Sequence, residues 1–440
     1  MRQIIHSFLR KNEMSLLKES RKRLGLKDSD LNKLREHKFK LLIEQAKNKS
    51  PYYAHILKNE SINGLKDLKK IKVLTKKILQ EEFNRITVPD EKQFFVLNST
   101  SGSTGKSTFF GSDSRFLTMR NVDLIRGNEM NNKFEYLDKM VTFWGAERDI
   151  SDKKDLRYYY NYYIKHSRLI STYHMTNKNI EDNIKLLNKF KPKLIVGYPS
   201  ALNFMAEYYK KNPNKMKHKP EAIISAGEML YDSHRENIEN SFGSEVYNRY
   251  GCREVGHIGS ECNQHNGMHY DADRLIVEVI DDEGNSCPSD SVGNIVITDL
   301  NNYVFPLIRY KTGDLGALSK EDSVCECGCT LPKISKIEGR TFDIITGING
   351  NNVSGTFWTI TLKNEVSGVE NFQVYQKELN KLDIRLMVNE GFNENEKKQI
   401  VKLVRKKLGE KMEINVILVE NFEYTQTGKF KWITSQLRNS

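Results

Sequence analysis

Leu194-Ile195-Val196-Gly197-Tyr198-Pro199-Ser200-Ala201-Leu202 is the stretch whose reading decides the fold. The apolar run Leu194 to Val196 reads as a buried strand, and Ala201 to Lys211 reads as a helix. The pattern then repeats. Ala222 to Ser225 is a second apolar run, Ser233 to Asn240 is helix-like, and Glu245 to Arg249 is a third strand. Upstream, Met140 to Trp144 and Ile180 to Phe190 give the same pair, and Phe94 to Leu97 is a further strand candidate. Strands alternating with helices predict an α/β sheet with helices on its faces. From Arg274 to Ile297 the chain turns β-rich, with a turn at Asp281-Asp282-Glu283-Gly284-Asn285.

Working outward, residues 1–90 are mostly helical and charged. Leu31, Leu34, Phe39, Leu42, Ile43 and Ala46 recur at helical spacing, and Ser50-Pro51 ends that helix. Residues 91–341 form the α/β core. Residues 342–440 form a small α+β unit with strands at Phe372 to Gln376, Asp383 to Val388 and Ile414 to Val419. A helix from Asn393 to Leu408 lies between them, with Asn393 as its N-cap.

The 440 residues favour two or three domains, and 38% hydrophobic with 10% aromatic residues is enough to build cores. Lys and Arg total 69 against 57 acids, a net charge of +12 that suits anionic partners: nucleotides, coenzyme A, nucleic acid or an anionic membrane surface. Many lysines fall in mixed-charge helical stretches such as Lys66 to Lys77, which read as solvated surface. No apolar run reaches membrane-spanning length. The apolar patch at Ile4, Ile5, Phe8 and Leu9 is too short for a signal-peptide core, so the expectation is a cytoplasmic protein.

Ser99-Thr100-Ser101-Gly102-Ser103-Thr104-Gly105-Lys106-Ser107 follows the first strand candidate. Hydroxyls, unhindered backbone N–H groups and the Lys106 charge can wrap a triphosphate. Its Gly-Lys-Ser ending imitates a Walker A loop, but that pattern needs glycine where Thr100 stands.

Further segments follow in order: Tyr250-Gly251-Cys252-Arg253-Glu254, Tyr310-Lys311-Thr312-Gly313-Asp314, Gly339-Arg340-Thr341-Phe342-Asp343 and Thr427-Gly428-Lys429. With the loop, they resemble the signatures of the acyl-adenylate-forming superfamily. Gly197 to Leu202, Ser225-Ala226-Gly227-Glu228, and Asp299-Leu300-Asn301-Asn302 leading to Pro306 through Tyr310 are similar to its phenylacetate–CoA ligase branch and that branch's capsule-cluster relatives. The resemblance covers about residues 90 to 440. It implies an α/β fold, with a large N-terminal adenylation domain of mixed sheets and flanking helices. It also implies a small mobile C-terminal α+β lid domain carrying Lys429.

The resemblance implies a site as well. Ser99, Thr100, Ser101, Gly102, Ser103, Thr104, Gly105 and Lys106 would hold the β- and γ-phosphates of ATP. Glu254 would bind Mg²⁺, since a hard cation takes carboxylate oxygen. Ser225, Ala226, Gly227 and Glu228, with Asn248, Arg249, Tyr250 and Gly251, would form the adenine slot. Asp314 would accept from the ribose hydroxyls, and Arg340 would reach ribose or phosphate. Lys429 would stabilise the charge that develops at the reacting phosphate. Phe143, Trp144, Tyr198 and His257 would border the acid, with Arg148 and Arg253 as further candidates for a polar acid. Three positions depart from the pattern: Lys311 replaces an Arg, Phe342 the first Asp of the hinge, and Thr425 an Arg before the final lysine. These changes bear on the second half-reaction rather than on adenylation.

Of the six cysteines, Cys325, Cys327 and Cys329 alternate, which in a cytosolic chain points to metal before disulfide. The branch implies a structural zinc site at Cys262, His269, Cys325 and Cys327, with Cys329, His257 and His265 as alternative ligands. The expected activity is ATP-dependent activation of a carboxylic acid, followed by transfer to coenzyme A. A homodimer is compatible with this. The alternative is transfer to an amine or hydroxyl acceptor in surface polysaccharide biosynthesis. A remoter alternative is a non-enzymatic, zinc-containing basic binding protein, though the ordered ATP motifs speak against nucleic acid as the partner.

Overall fold

The structure is a computed structural model, and it describes residues 6, 10–89, 95–100, 108–144, 156–172, 177–320, 325–340, 345–353, 357–358, 361–362, 365–422 and 431–437. The chain divides into two units, Met1–Thr312 with Gly316–Lys336, and Gly313–Leu315 with Ile337–Ser440.

The first unit begins with helices α1 (Lys11–Lys22) and α2 (Asp28–Lys49). Leu31, Phe39, Leu42, Ile43 and Ala46 are the buried face of α2, and Ser50 terminates it ahead of Pro51. A hairpin follows, β1 (Val96–Thr100) and β2 (Thr108–Ser112), in antiparallel register with Ser99 opposite Phe109. The strand expected at Phe94 to Leu97 therefore runs later in the chain. Pairing with β2 draws Ser99 and Thr100 into the ladder, a case of strand context overriding local composition. Helix α3 (Ser114–Glu129) is capped by the Asp113 carboxylate, which accepts from the Phe116 N–H.

Then come β3 (Met140–Trp144), β4 (Ser167–Ser171), helix α4 (Asn177–Phe190), β5 (Leu194–Gly197), helix α5 (Pro199–Lys211), β6 (Ala222–Ala226), helix α6 (Asp232–Phe242), β7 (Val246–Cys252), β8 (Gly256–Glu261), β9 (Met268–Tyr270), β10 (Leu275–Ile280), β11 (Gly293–Asp299), β12 (Tyr310–Leu318) and β13 (Lys333–Arg340). These form one eleven-stranded sheet in the order β10-β11-β12-β13-β9-β8-β7-β6-β5-β3-β4. Strands β4, β3, β5, β6 and β7 are parallel, and β7 to β8 begins the antiparallel part. Every residue of β5 and β6 is buried, as a parallel strand covered on both faces requires. One face packs Val141, Phe143, Ile195, Ile223 and Val246 against α4, α5 and α6. The other carries Leu194, Val196, Ala222, Ile224 and Tyr247. Each such aliphatic side chain contributes about 1.5–3 kcal/mol by burial.

In the second unit, β16 (Val369–Glu378), β17 (Lys381–Val388), β18 (Glu413–Leu418) and β19 (Ile433–Ser435) form a sheet in the order β18-β17-β16-β19, after the short pair β14 (Ile345–Thr346) and β15 (Asn352–Val353). Helix α7 (Glu394–Leu408) buries Ile400, Val404 and Leu408. Its N-cap is Asn393, whose side chain accepts from the N–H groups of Asn395 and Glu396. Acidic Glu394 and Glu396 in its first turn and Arg405, Lys406 and Lys407 in its last turn oppose the helix dipole. No helix among the described residues is long and apolar enough to cross a membrane.

Candidate active site

In an open parallel sheet, ligands sit beyond the carboxyl ends of the strands. Here the register aligns a row of residues at those ends. Phe143 pairs with Gly197, Gly197 with Ser225, Ala226 with Arg249, and Arg249 with Ser260. One residue further along β3 and β5, Trp144 and Tyr198 are level with Ala226 and Arg249. Successive strand residues alternate faces, so the row Trp144, Tyr198, Ala226, Arg249 shares one face while Phe143, Ser225 and Asn248 belong to the other.

Trp144 stacks on Tyr198 with ring centroids 4.4 Å apart. Gly227 is pressed against this pair. A Cβ there would lie 2.8 Å from Tyr198 Cε1 and 3.2 Å from Trp144 Cη2, and its φ of +82° is in the region that favours glycine. Glu228 turns back to accept from the Ser200 N–H at the start of α5. On the opposite face, the Ser225 hydroxyl is fully buried and has no hydrogen-bond partner among the described residues.

Glu254 is buried and accepts a 2.8 Å hydrogen bond from the Tyr310 hydroxyl. The adjoining Arg253 guanidinium donates to the Ser99 carbonyl at 3.0 Å, and Arg120 donates to the Arg253 carbonyl at 3.0 Å. On the second strand of the hairpin, Asn302 donates to the Gly111 carbonyl at 3.0 Å. The hairpin that carries the glycine loop is therefore tied on both strands. Ser99 and Thr100 are strand residues, while Ser101, Gly102, Ser103, Thr104, Gly105 and Lys106 lie outside the described residues. So do Arg148, Phe342, Asp343, Thr425 and Lys429, and the side chain of Arg340, which ends β13. Asp314 is buried on β12.

Beneath the Glu254 turn lies a buried charge network that sequence reasoning missed. Arg126 donates to Asp271 at 2.6 Å and to Asp273 at 2.9 Å. Arg274 donates to Asp299 at 2.6 Å, to the Val255 carbonyl at 3.2 Å and to the His257 carbonyl. Burial alone would raise the Asp273 carboxyl, but Arg126 holds it well below the usual range. Burial pushes Asp123 up to about 7 in spite of Arg274 beside it. The only signal in the sequence was the cluster Asp271, Asp273 and Arg274 ahead of a strongly apolar strand.

His257, expected beside the acid, belongs to this network. Its ring contacts Asp271 Oδ2 at 2.7 Å and Ser260 Oγ at 2.8 Å, and it abuts Gly127, where a Cβ would lie 2.2 Å from Nε2. Burial lowers its pKa against the pull of Asp271, so the neutral ring donates from Nδ1 and accepts from Ser260 at Nε2. Both nitrogens are committed to the protein. Arg249, expected in the adenine slot, instead donates to Asn128 Oδ1 of α3 on the opposite face from Ser225.

Cys262, His269, Cys325 and Cys327 converge, with their ligand atoms all within 4.8 Å of one another. Tetrahedral zinc with thiolate and imidazole ligands would space sulfurs roughly 3.8 Å apart and sulfur from nitrogen roughly 3.6 Å. Cys262 and Cys325 are 3.7 Å apart at sulfur, and Cys327 Sγ is 3.4 Å from His269 Nε2. His269 Nδ1 donates to the Leu331 carbonyl at 2.6 Å, which leaves Nε2 as the ligand atom. Gly328, at φ +82°, turns the chain so that its N–H reaches the Cys325 carbonyl. Cys329 lies outside the group, with only its N–H reaching Cys327 Sγ, and His265 faces Glu261 and Arg235. The donor set fits zinc.

Residues 345–436 match the family described as the CapK C-terminal domain. The chain is 25% identical over 388 residues to protein CapK of Staphylococcus aureus, covering 86% of this chain and 83% of the relative. It is 26% identical over 389 residues to a phenylacetate-coenzyme A ligase of Thermus thermophilus, covering 82% of each. Its fold resembles that of 2-hydroxyisobutyryl-CoA ligase crystallised in the postadenylation state with R3-HIB-AMP. That likeness has a TM-score of 0.74 at 18% identity, with 94% of this chain and 91% of that one covered, and it is one of fold.

Proposed function

The chain belongs to the acyl-adenylate-forming superfamily, within its phenylacetate–CoA ligase-like branch and alongside CapK, and from that premise we propose that it activates a carboxylic acid with ATP and passes the acyl group to coenzyme A. In the first step a carboxylate oxygen bonds to the α-phosphorus. The bond from that phosphorus to the bridging oxygen breaks, and its electron pair leaves with pyrophosphate. In the second step the thiol sulfur of coenzyme A bonds to the acyl carbon, its proton is lost and AMP departs.

One observation carries this reading: the buried Glu254, oriented by Tyr310, shares a turn with Arg253, which grips the root of the glycine loop. In this reading Glu254 would hold the cation and the loop that begins at Ser99 would hold the phosphates. The residues assigned to the steps follow the same reading. Ser99 to Lys106 hold the phosphates that leave, and Asp314 holds the ribose. Ser225 to Glu228 with Asn248, Tyr250 and Gly251 flank the base. Trp144 and Tyr198 border the acid, and Phe143 packs in the core behind them on the other face. Arg340 and Lys429 complete the charge on the reacting phosphate. Mg²⁺ at Glu254 would neutralise phosphate charge. Zn²⁺ at Cys262, His269, Cys325 and Cys327 would supply no chemistry. With four protein ligands it would tie the β8–β9 turn to the Cys325 turn. Trapping the acyl-adenylate with hydroxylamine, across a panel of acids with ATP and Mg²⁺, tests the first step without needing the acceptor. No hydroxamate from any acid would sink it.

A second reading of the acceptor is favoured by the match of residues 345–436 to the CapK C-terminal domain. In it, an amine or hydroxyl of a surface-polysaccharide precursor replaces coenzyme A. Adenylate formation with no thioester on adding coenzyme A would select this reading.

A further inference from the structure

Arg249 is a partly buried cation whose charge is left to a neutral neighbour. Its one hydrogen bond among the described residues is to the side-chain oxygen of Asn128, at 2.5 Å, and no carboxylate among them lies within ion-pair distance. Elsewhere in this unit the buried guanidiniums of Arg126, Arg274 and Arg309 each hold a carboxylate. In the network next to it, Asp271 is already engaged by His257 and Arg126. His257 is neutral and already bonded at both nitrogens, so it offers Arg249 nothing. Burial costs the cation enough to bring it down to about 10, still charged at neutral pH. A guanidinium has five N–H donors in a planar fork, and one partner uses a single donor. The side chain is only partly buried, so the remaining donors are open to a ligand.

Its place in the row says which ligand. Arg249 is level with Ala226 on β6, and beyond Ala226 stand Tyr198 and Trp144. Neighbouring strands are about 4.8 Å apart, so the aromatic pair and the guanidinium flank a slot roughly 10 Å wide at the backbone. Between them on that face β6 presents only the methyl group of Ala226, itself buried, followed by Gly227. Tyr198 is buried, so the partly exposed Trp144 and Arg249 are the groups of this row that a ligand can reach. The fork matches a carboxylate bidentately.

We propose that Arg249 binds a second carboxylate on the substrate, and hence that the acid activated here is a dicarboxylic acid. This rests on the adenylation reading above. The distal carboxylate stays ionised against Arg249, and the body of the acid lies along Trp144. The proximal carboxylate is the nucleophile, with the same bonds made and broken as before. Arg249 sets specificity and takes no part in the bond changes.

The test uses the full chain with ATP and Mg²⁺, hydroxylamine trapping, and matched acid pairs that differ only in a methyl group replacing the second carboxylate, both straight-chain and aryl. The wild-type kcat/KM should favour the diacid by about thirtyfold or more, in line with a partly buried charge-assisted pair. Arg249→Gln should collapse that ratio toward one, and Arg249→Lys should keep part of it. Equal or better use of the monoacids by the wild type overturns the proposal while leaving the ligase standing. So does a diacid preference that survives in R249Q. Calorimetric titration of the same diacids separates the remaining cases. Binding to the wild type and not to R249Q, with no hydroxamate, keeps the anion subsite and removes the ligase reading. Neither binding nor hydroxamate removes both.

Discussion

The hydroxyl of Tyr310 donates to Oε1 of the buried Glu254 at 2.8 Å, across 56 residues of sequence. It sets the orientation of the carboxylate assigned to Mg²⁺. Tyr310→Phe removes the donor and leaves the ring. A hydrogen bond to a charged group contributes about 1.5–3 kcal/mol, so kcat/KM for ATP should fall by roughly tenfold or more. The Mg²⁺ concentration for half-maximal ATP–pyrophosphate exchange should rise with it. An unchanged Mg²⁺ dependence would mean the pair is only structural.

The tie between Arg253 and the Ser99 carbonyl predicts a different signature. Arg253→Ala frees one strand of the hairpin from the Glu254 turn. We expect KM for ATP to rise by about tenfold, with a smaller effect on KM for the acid, because a loop positioned 1 Å off loses much of its effect. Steady-state kinetics with each substrate varied in turn distinguishes this from general loss of activity.

Gly227→Ala should damage acid activation more than folding. The added methyl group would meet Tyr198 at 2.8 Å and Trp144 at 3.2 Å, at a φ that costs an L side chain about 1–3 kcal/mol. The aromatic pair must then shift. Hydroxamate yield should fall at least tenfold while nucleotide binding, followed by calorimetry, weakens less.

Zinc should copurify at one ion per chain, measured by elemental analysis, and Cys262→Ser or Cys327→Ser should lose it. Removal by a chelator should lower the melting temperature by several degrees, because a closed four-ligand site contributes to folding. A protein that melts at the same temperature with and without chelator would contradict the structural role.

The buried carboxyls give opposite pH dependences. Asp123 has its folded pKa raised from an ordinary 3.8 to about 7, so the folded state holds a proton that the unfolded state has released. Its contribution is full at low pH and declines as pH rises through that window. Asp273 is shifted down, so its contribution is present above the ordinary carboxylate pKa and is lost on acidification. Asp123→Asn should therefore gain melting temperature relative to wild type between about pH 4 and about 7, and thermal scans across that range check it. Arg126→Met should cost about 3–5 kcal/mol by stranding Asp271 and Asp273.

The amino-acid sequence by itself determined the alternation of strands and helices, because periodicity is local: Leu194 to Val196, Ala201 to Lys211, Ala222 to Ser225 and the Asn393 cap all lie where their spacing puts them. The donors Cys262, His269, Cys325 and Cys327 were legible too, as residue types at readable positions. Tertiary structure decided what those residues face. Register placed Ser225 and Asn248 on one side of the sheet and Arg249 on the other, though all three belong to motifs read as one slot. Packing of α3 against β8 set His257 in the network of Asp271 and Arg126. Long-range pairing chose Tyr310 for Glu254 and chose Cys327 over Cys329 beside His269. None of this is periodic. It depends on which buried polar groups meet across tens to hundreds of residues, and a buried donor or acceptor must find its partner wherever the fold brings one.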